Sequence, residues 1–139
     1  MGTIICATRG GEASYRTQDK VIELAKRDAS ELVFVFAVDT DFLDKTAAPV
    51  LVDVKPEMEK MAEFLLLMAQ ERAAKAGIEA QAAVRHGTLR EVLIEIADEY
   101  EASLIVLGSP AEEGRFGLED LQNFADELHD ASGVKVQII

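Results

Sequence analysis

The 139-residue chain has no tryptophan, a single cysteine and three prolines, and only 6% of its residues are aromatic. One cysteine cannot form an internal disulfide, so the fold does not depend on one and a reducing compartment suits it. Basic residues are also scarce: 14 Lys and Arg stand against 26 Asp and Glu, a net charge of −12. Because neutralising phosphates supplies most nucleic-acid affinity, this balance disfavours nucleic acids and anionic membrane surfaces as partners.

Long hydrophobic runs are missing as well. The apolar stretch Ile4–Ala7 near the amino terminus is too short for a signal peptide or a membrane span, and no basic segment precedes it. We therefore expect a cytoplasmic protein. Nearly half of the residues are apolar, which suffices for one core, and the length predicts a single domain over residues 1–139.

Short apolar runs alternate with segments of helical periodicity along the whole chain. Continuous or alternating apolar residues predict five strands, and spacings of three and four residues predict four helices. Such alternation is typical of an α/β fold with an open parallel sheet and helices on both faces. The predicted strands are 3–8, 32–38, 78–84, 104–107 and 134–139, and the predicted helices are 13–29, 56–76, 88–101 and a last one from Leu121 or Asn123 to Ala131, with 39–55 as a long connection.

The stretch from Arg85 to Ser109 is the most informative part of the sequence. It predicts a strand that ends at Gly87, an amphipathic helix, and an apolar strand that ends at Gly108. Ligands of open α/β sheets bind where the strands end. The stretch resembles the core signature of the universal stress protein family, and Thr8–Ser14 is similar to the family's V-D-G-S-E-x-S.

This resemblance covers the whole chain and carries several expectations. It implies an adenine nucleotide alpha hydrolase-like sheet with strand order 3-2-1-4-5, a homodimer, and a nucleotide site at the carboxyl ends of strands 1 and 4. Family members that bind ATP carry G-x2-G-x9-G-[ST] after the fourth strand, where glycines let backbone N–H groups approach phosphate oxygens.

The nucleotide motif departs from that pattern at several positions. Gly108 matches its first glycine, but the second falls on Ala111 and the Gly-Ser pair falls on Gln122-Asn123. The aspartate that the family has after the first strand is replaced by Arg9, and the loop carries several carboxylates. We therefore expect a degenerate site with no cofactor, although ATP or AMP remains possible. Its candidate residues are Thr8, Arg9, Gly10, Val38, Gly108 and Asn123, and no metal ligands are expected.

Several of these residues allow two interpretations. Arg9 either binds an anion or pairs with a nearby carboxylate, and Gly10-Gly11 either cradles a phosphate or only forms a tight turn. Asn123 is a strong N-cap residue, so it is predicted to cap the last helix in place of holding a phosphate. His86 lies near the ligand edge but is predicted to be a solvated turn residue, and His129 suits the end of its helix.

The most consistent functional hypothesis is a dimeric stress-response or regulatory module without catalysis, because the sequence offers no nucleophile–base pair. The alternative is a member of the family that binds AMP or ATP in the crevice. Residues 134–139 are predicted to form an outer strand that pairs with a second copy, and the alternative is that Lys135 protects this edge in a monomer. The apolar run 64–68 covers more of its helix than one face needs. It is either buried under residues 39–55 or forms a surface for a protein partner.

Overall fold

A computed structural model describes the backbone of residues 2–8, 12–38, 48–108 and 118–139. Its strands are β1 (Thr3–Ala7), β2 (Glu31–Val38), β3 (Gln81–His86), β4 (Leu104–Leu107) and β5 (Lys135–Ile138). The helices in the described ranges are α1 (Glu12–Asp28), α2 (Ala48–Lys75), α3 (Leu89–Glu99) and α4 (Leu118–Ser132).

The five strands form one sheet in the order β3-β2-β1-β4-β5, and each neighbouring pair is parallel. This confirms the predicted α/β fold class and strand order. The central strand β1 pairs with β2 on one side and with β4 on the other, with Cys6 opposite both Phe34 and Val106. Because all strands run the same way, their carboxyl ends share one edge of the sheet.

Two apolar layers enclose the sheet, because successive strand residues point to opposite faces. On one face, Ile5, Val33 and Ile105 pack against α3 and α4. On the other, Ile4, Cys6 and Phe34 pack against α1 and α2. Most residues of β1, β2 and β4 are buried, which explains why these strands read as continuous apolar runs.

Helix α2 begins earlier than the sequence predicted. The prediction placed its start at Pro56, since proline is common in the first turn of a helix and breaks most helix interiors. In the structure the helix extends back to Ala48, so the part of the predicted connection from 48 to 55 is wrong. The helical spacing of Leu51, Val54 and Met58 continues across Pro56 and was the overlooked signal.

Strand β3 starts later than predicted, because residues 78–80 connect the end of α2 to the strand, whereas Gly77 ends the helix as predicted. Gly77 has a φ of 87°, a left-handed conformation that ends helices, and the Ile78 N–H donates to the Ala73 carbonyl. The side-chain amide of Gln70 donates to the Ala80 carbonyl at 2.9 Å. The strand consequently starts at Gln81.

No helix in the described ranges is long and apolar enough to cross a membrane.

Candidate functional site

Three of the candidate residues lie at the carboxyl edge of the sheet. Thr8 follows β1 and its N–H donates to the Val35 carbonyl at 2.9 Å. Gly108 follows β4, and the pairing of Cys6 with Val106 places it beside Thr8 on the neighbouring strand. Val38 ends β2 on the other side of β1. The structure therefore brings Thr8, Gly108 and Val38 to one edge, as the predicted crevice requires.

Gly108 is in close contact with α1. A Cβ added to it would lie 2.8 Å from the Thr17 hydroxyl oxygen, closer than real Cβ atoms approach a neighbour. Its φ lies outside the left-handed range, so backbone conformation does not demand glycine here. The packing of α1 against the end of β4 therefore requires this glycine, whether or not a ligand is bound.

A buried polar pair lies beneath the same edge. The side-chain amide of Gln18 donates to the Thr8 hydroxyl oxygen at 2.9 Å, and both side chains are buried, at 2% and 6% exposure. The Gln18 Oε1 atom has no hydrogen-bond partner among the described residues. A buried hydrogen-bond acceptor without a partner lowers the stability of the fold, so this atom needs a structural or functional explanation.

Sequence reasoning missed this pair, although a signal was available. Gln18 shares its helix face with the buried residues Val21, Ile22 and Ala25 of α1. A glutamine on an otherwise apolar helix stripe indicates a buried polar contact, since such a side chain needs a partner inside the protein.

Val38 is buried at 1% exposure. Its carbonyl accepts a hydrogen bond from the Gly87 N–H at 3.1 Å, which closes the edge between β2 and β3. This carbonyl is already hydrogen-bonded within the fold and the side chain is buried, so Val38 serves mainly as a packing residue at the end of β2.

Arg9 and Gly10 lie outside the described residues, as do Gly11 and Ala111. The interpretations of Arg9 as an anion ligand or an ion-pair partner, and of Gly10-Gly11 as a phosphate cradle or a turn, stay predictions.

The prediction that Asn123 caps the last helix is wrong. Helix α4 begins at Leu118, which places Asn123 in its second turn, exposed to solvent. The apolar stripe of Leu121, Ala125 and Leu128 packs in the core and extends the helix towards its start. Packing of this stripe outweighed the capping preference of a single asparagine.

The first turn of α4 is acidic. It contains Glu119 and Asp120, both exposed. A helix that follows a strand in a parallel sheet begins at the edge where that strand ends, so this turn faces the carboxyl edge. The positive end of a helix dipole favours anions, and here the chain's own carboxylates lie at that end.

The two histidines have partners in the fold. His86 forms an ion-pair contact through Nε2 with Glu59 of α2, at the outer strand β3. His129 is in the last turn of α4, and its Nδ1 lies 2.9 Å from the Val134 carbonyl, an arrangement in which the ring nitrogen donates. His129 thus joins α4 to β5, in agreement with its predicted structural role.

Cys6 is fully buried in the central strand. Burial disfavours the charged thiolate and raises the pKa of the Cys6 thiol from 9.0 to about 12. The thiol is therefore protonated at neutral pH and cannot act as a nucleophile, which confirms the prediction of a core residue.

The match to a known protein family agrees with the observed fold. A model of the Universal stress protein family matches residues 1–128, most of the chain. The chain belongs to the universal stress protein family. No curated protein matches the sequence.

Solved structures of universal stress proteins have the same fold. A protein of the family from Burkholderia pseudomallei is 25% identical, with 99% of this chain and 95% of that one covered and a TM-score of 0.66. UspA from Lactobacillus plantarum is 18% identical over 99% and 97% of the two chains, with a TM-score of 0.78. A family protein from Arabidopsis thaliana with AMP bound is 13% identical over 100% and 91%, with a TM-score of 0.70.

In this universal stress protein, the carboxyl edge of the sheet has polar and acidic side chains around it. Thr8, Val38 and Gly108 meet there, but Thr17 and Gln18 fill the space under Gly108 and Thr8 with polar side chains. Glu119 and Asp120 place negative charge at the start of α4. Among the described residues, the groups at this edge are therefore neutral polar side chains, an apolar side chain and two exposed carboxylates.

Proposed function

We propose that this universal stress protein is a non-catalytic, dimeric regulatory module of the cytoplasm whose crevice does not bind ATP. The observation that carries the proposal is the acidic first turn of α4, with Glu119 and Asp120 exposed at the end of the helix where a phosphate group would gain most from the helix dipole.

Electrostatics favours this reading over a triphosphate site. Two unit charges about 5 Å apart interact by roughly 3 kcal/mol at an effective dielectric of about 20. A triphosphate beside two carboxylates meets repulsion of that order, reduced by salt and by Mg²⁺. The remaining requirement for glycine at position 108 is explained by Thr17 and needs no phosphate.

The absence of catalysis rests on the chemistry of the polar groups. Within the described residues the buried polar side chains are Thr3, Thr8, Thr17 and Gln18, and none of them is an acid or a base. Cys6 is held protonated by burial. Threonine hydroxyls and a glutamine amide are neutral hydrogen-bonding groups, so this set supports binding better than group transfer.

Absorbance of the purified protein tests the proposal simply. The chain has two tyrosines and no tryptophan, so its own absorbance is low and a bound adenine would dominate near 260 nm. We expect a spectrum without an adenine band. A band that corresponds to about one nucleotide per chain, with the released nucleotide identified as ATP by chromatography, would refute the proposal.

A variant without the two carboxylates tests whether the acidic turn is what weakens ATP binding. Glu119→Gln combined with Asp120→Asn should strengthen Mg-ATP binding about tenfold, because it removes two repulsive charges at a solvent-screened site. The control is Asp126→Asn with Glu127→Gln, farther along the same helix and also exposed. Equal effects of the two pairs would show that the first turn of α4 has no special role.

A second candidate function is the binding of AMP, which lacks the β- and γ-phosphates. The observation that favours it is the Gln18 Oε1 atom, a buried acceptor without a partner next to Thr8. An amino or hydroxyl group of a bound nucleotide would satisfy it. The AMP bound to the Arabidopsis relative, which shares the fold, gives this candidate a precedent.

Titration with AMP and with ATP separates the candidates. If the acidic first turn of α4 repels the β- and γ-phosphates, the wild type should bind AMP more tightly than ATP. Gln18→Leu, which keeps the volume and removes the acceptor, should weaken AMP binding about tenfold, the usual loss for one hydrogen bond. An AMP affinity that Gln18→Leu leaves unchanged would exclude this role for Gln18.

A further inference from the structure

The outer face of α2 carries large apolar side chains that the fold leaves in solvent. Phe64 is 60% exposed, Leu67 52% and Met61 50%, whereas Leu66 and Ala69 on the opposite side are buried against the sheet. Large apolar side chains in one exposed patch usually mark an interaction surface. Of the two interpretations of this apolar run, the exposure favours a partner surface.

Four residues of α2 form one stripe across this face. They are Lys60, Phe64, Leu67 and Glu71, at steps of four, three and four residues. Such steps return to nearly the same side of a helix with 3.6 residues per turn and are the spacing of a helix–helix seam. We call this stripe the α2 seam. Its apolar residues lie at the centre, with a cation at one end and an anion at the other.

The charges at the two ends are available for a partner. Lys60 and Glu71 are both exposed, and neither has an ion-pair partner among the described residues. They are eleven residues apart on the same helix, about 16 Å at 1.5 Å per residue, so they cannot pair with each other.

We propose that the α2 seam binds the same seam of a second copy of this chain in antiparallel orientation. A two-fold axis midway between Phe64 and Leu67 places each Phe64 against the Leu67 of the other copy. The same axis places each Lys60 against the Glu71 of the other copy, which makes the contact isologous and self-complementary. Parallel pairing would instead bring like charges together, which is unfavourable.

The seam is separate from the β5 edge. Strand β5 lies at one end of the sheet, whereas α2 packs against β2 and β3 at the other. A single helix pair buries less than the roughly 1,200 Å² of a standard interface. The contact is therefore weak and concentration-dependent, and together with pairing at β5 it links dimers into larger assemblies.

A charge-swap experiment tests the seam. Sedimentation is measured up to about 500 µM, where contacts of micromolar to high-micromolar affinity are visible. Lys60→Glu and Glu71→Lys should each weaken the α2 association about tenfold, because each turns two attractions into two repulsions. The double variant Lys60→Glu/Glu71→Lys should restore the wild-type association, since both pairs form again with exchanged signs.

Lys26→Glu is the matched control, because it makes the same charge change as Lys60→Glu on the exposed surface of α1. It should leave the association unchanged. Three results would each overturn the proposal. The first is that Val136→Pro in β5 abolishes all association of the otherwise wild-type chain. The second is that both single variants associate as strongly as the control, and the third is that the double variant associates as weakly as the single variants.

The register has its own test by cross-linking. A mixture of Phe64→Cys and Leu67→Cys proteins should form disulfide-linked heterodimers faster than either protein forms homodimers, because the two positions face each other across the axis. Native Cys6 does not interfere, since it is buried and its pKa is about 12. Equal rates in the mixture and in the separate proteins would contradict the antiparallel register.

Discussion

At the scale of single residues, Gly108 and Cys6 are explained by packing alone. Gly108 matches a nucleotide-motif glycine in sequence, yet the Thr17 side chain already requires the absence of a Cβ at this position. Cys6 is enclosed between two layers of helices in the central strand. Both explanations lead to measurable effects on stability.

Gly108→Ala should lower the free energy of unfolding by about 1–2 kcal/mol, because the new methyl group overlaps Thr17. In a Thr17→Ala background the same substitution should cost little, since the obstructing hydroxyl is gone. Urea denaturation of the four proteins gives the coupling between the two sites. Additive effects would show that Thr17 is not the cause.

The raised pKa of the Cys6 thiol predicts that the protein loses stability at high pH. Its pKa in the folded state is raised to about 12 from 9.0, so the folded state holds a proton that the unfolded chain releases. Its contribution is complete below pH 9 and decreases as pH rises towards 12, by about 1.4 kcal/mol per unit. Cys6→Ala should lack this component, so denaturation profiles of the two proteins should converge with rising pH. Parallel profiles would contradict it.

The sequence predicted part of this site at the residue level. The family resemblance implies that Thr8, Val38 and Gly108 belong to one site, and the ends of the apolar runs predict that they lie at one edge of the sheet. The Thr8–Gln18 contact was missed, because Gln18 is ten residues farther along and its partner depends on how α1 packs. The requirement for Gly108 likewise comes from a helix–strand approach that spacing alone does not reveal.

At the scale of elements, apolar periodicity predicted all five strands and the described helices, whereas several boundaries moved. Helix α2 starts at Ala48, β3 starts at Gln81 and α4 starts at Leu118. The starts predicted at Pro56 for α2 and near Asn123 for α4 were outweighed by apolar helical spacing that continues towards the amino terminus. The alternating residues before Gln81 were outweighed by the termination of α2. Local preferences are worth about 1 kcal/mol, whereas burial of an apolar stripe is worth several.

The stabilities of two Asn123 variants distinguish a helix position inside α4 from an N-cap position. In an exposed second turn, Asn123→Ala should raise the free energy of unfolding by roughly 0.5 kcal/mol, because alanine is the better helix former, and Asn123→Gly should lower it by a few tenths. An N-cap would give the opposite order, with alanine costing more than glycine. Urea midpoints of the two variants decide between them.

At the scale of the whole molecule, β5 is an outer strand of the sheet, and no described strand pairs with its outer side. It is the last strand in the order, and its Val136 and Ile138 are only half-buried. An outer strand exposes backbone N–H and C=O groups that must be protected or paired. Antiparallel pairing with β5 of a second copy would satisfy them under two-fold symmetry, which is the homodimer proposed above.

Val136→Pro should weaken this dimer without unfolding the chain, because proline removes one backbone donor and edge strands tolerate it. Sedimentation at micromolar concentration should show a dimeric wild type and a variant shifted towards monomer, with unchanged circular dichroism. Val136→Thr, which keeps the β-branched shape and the donor, is the control. A monomeric wild type, or a variant that stays fully dimeric, would exclude β5 as the interface.

The central claim is that the crevice of this universal stress protein does not bind ATP, and calorimetric titration of the full chain with Mg-ATP tests it most directly. The acidic first turn of α4 predicts weak binding, with a dissociation constant of about 1 mM or higher, equivalent to roughly −4 kcal/mol. A dissociation constant in the low micromolar range, near −8 kcal/mol, would contradict the account.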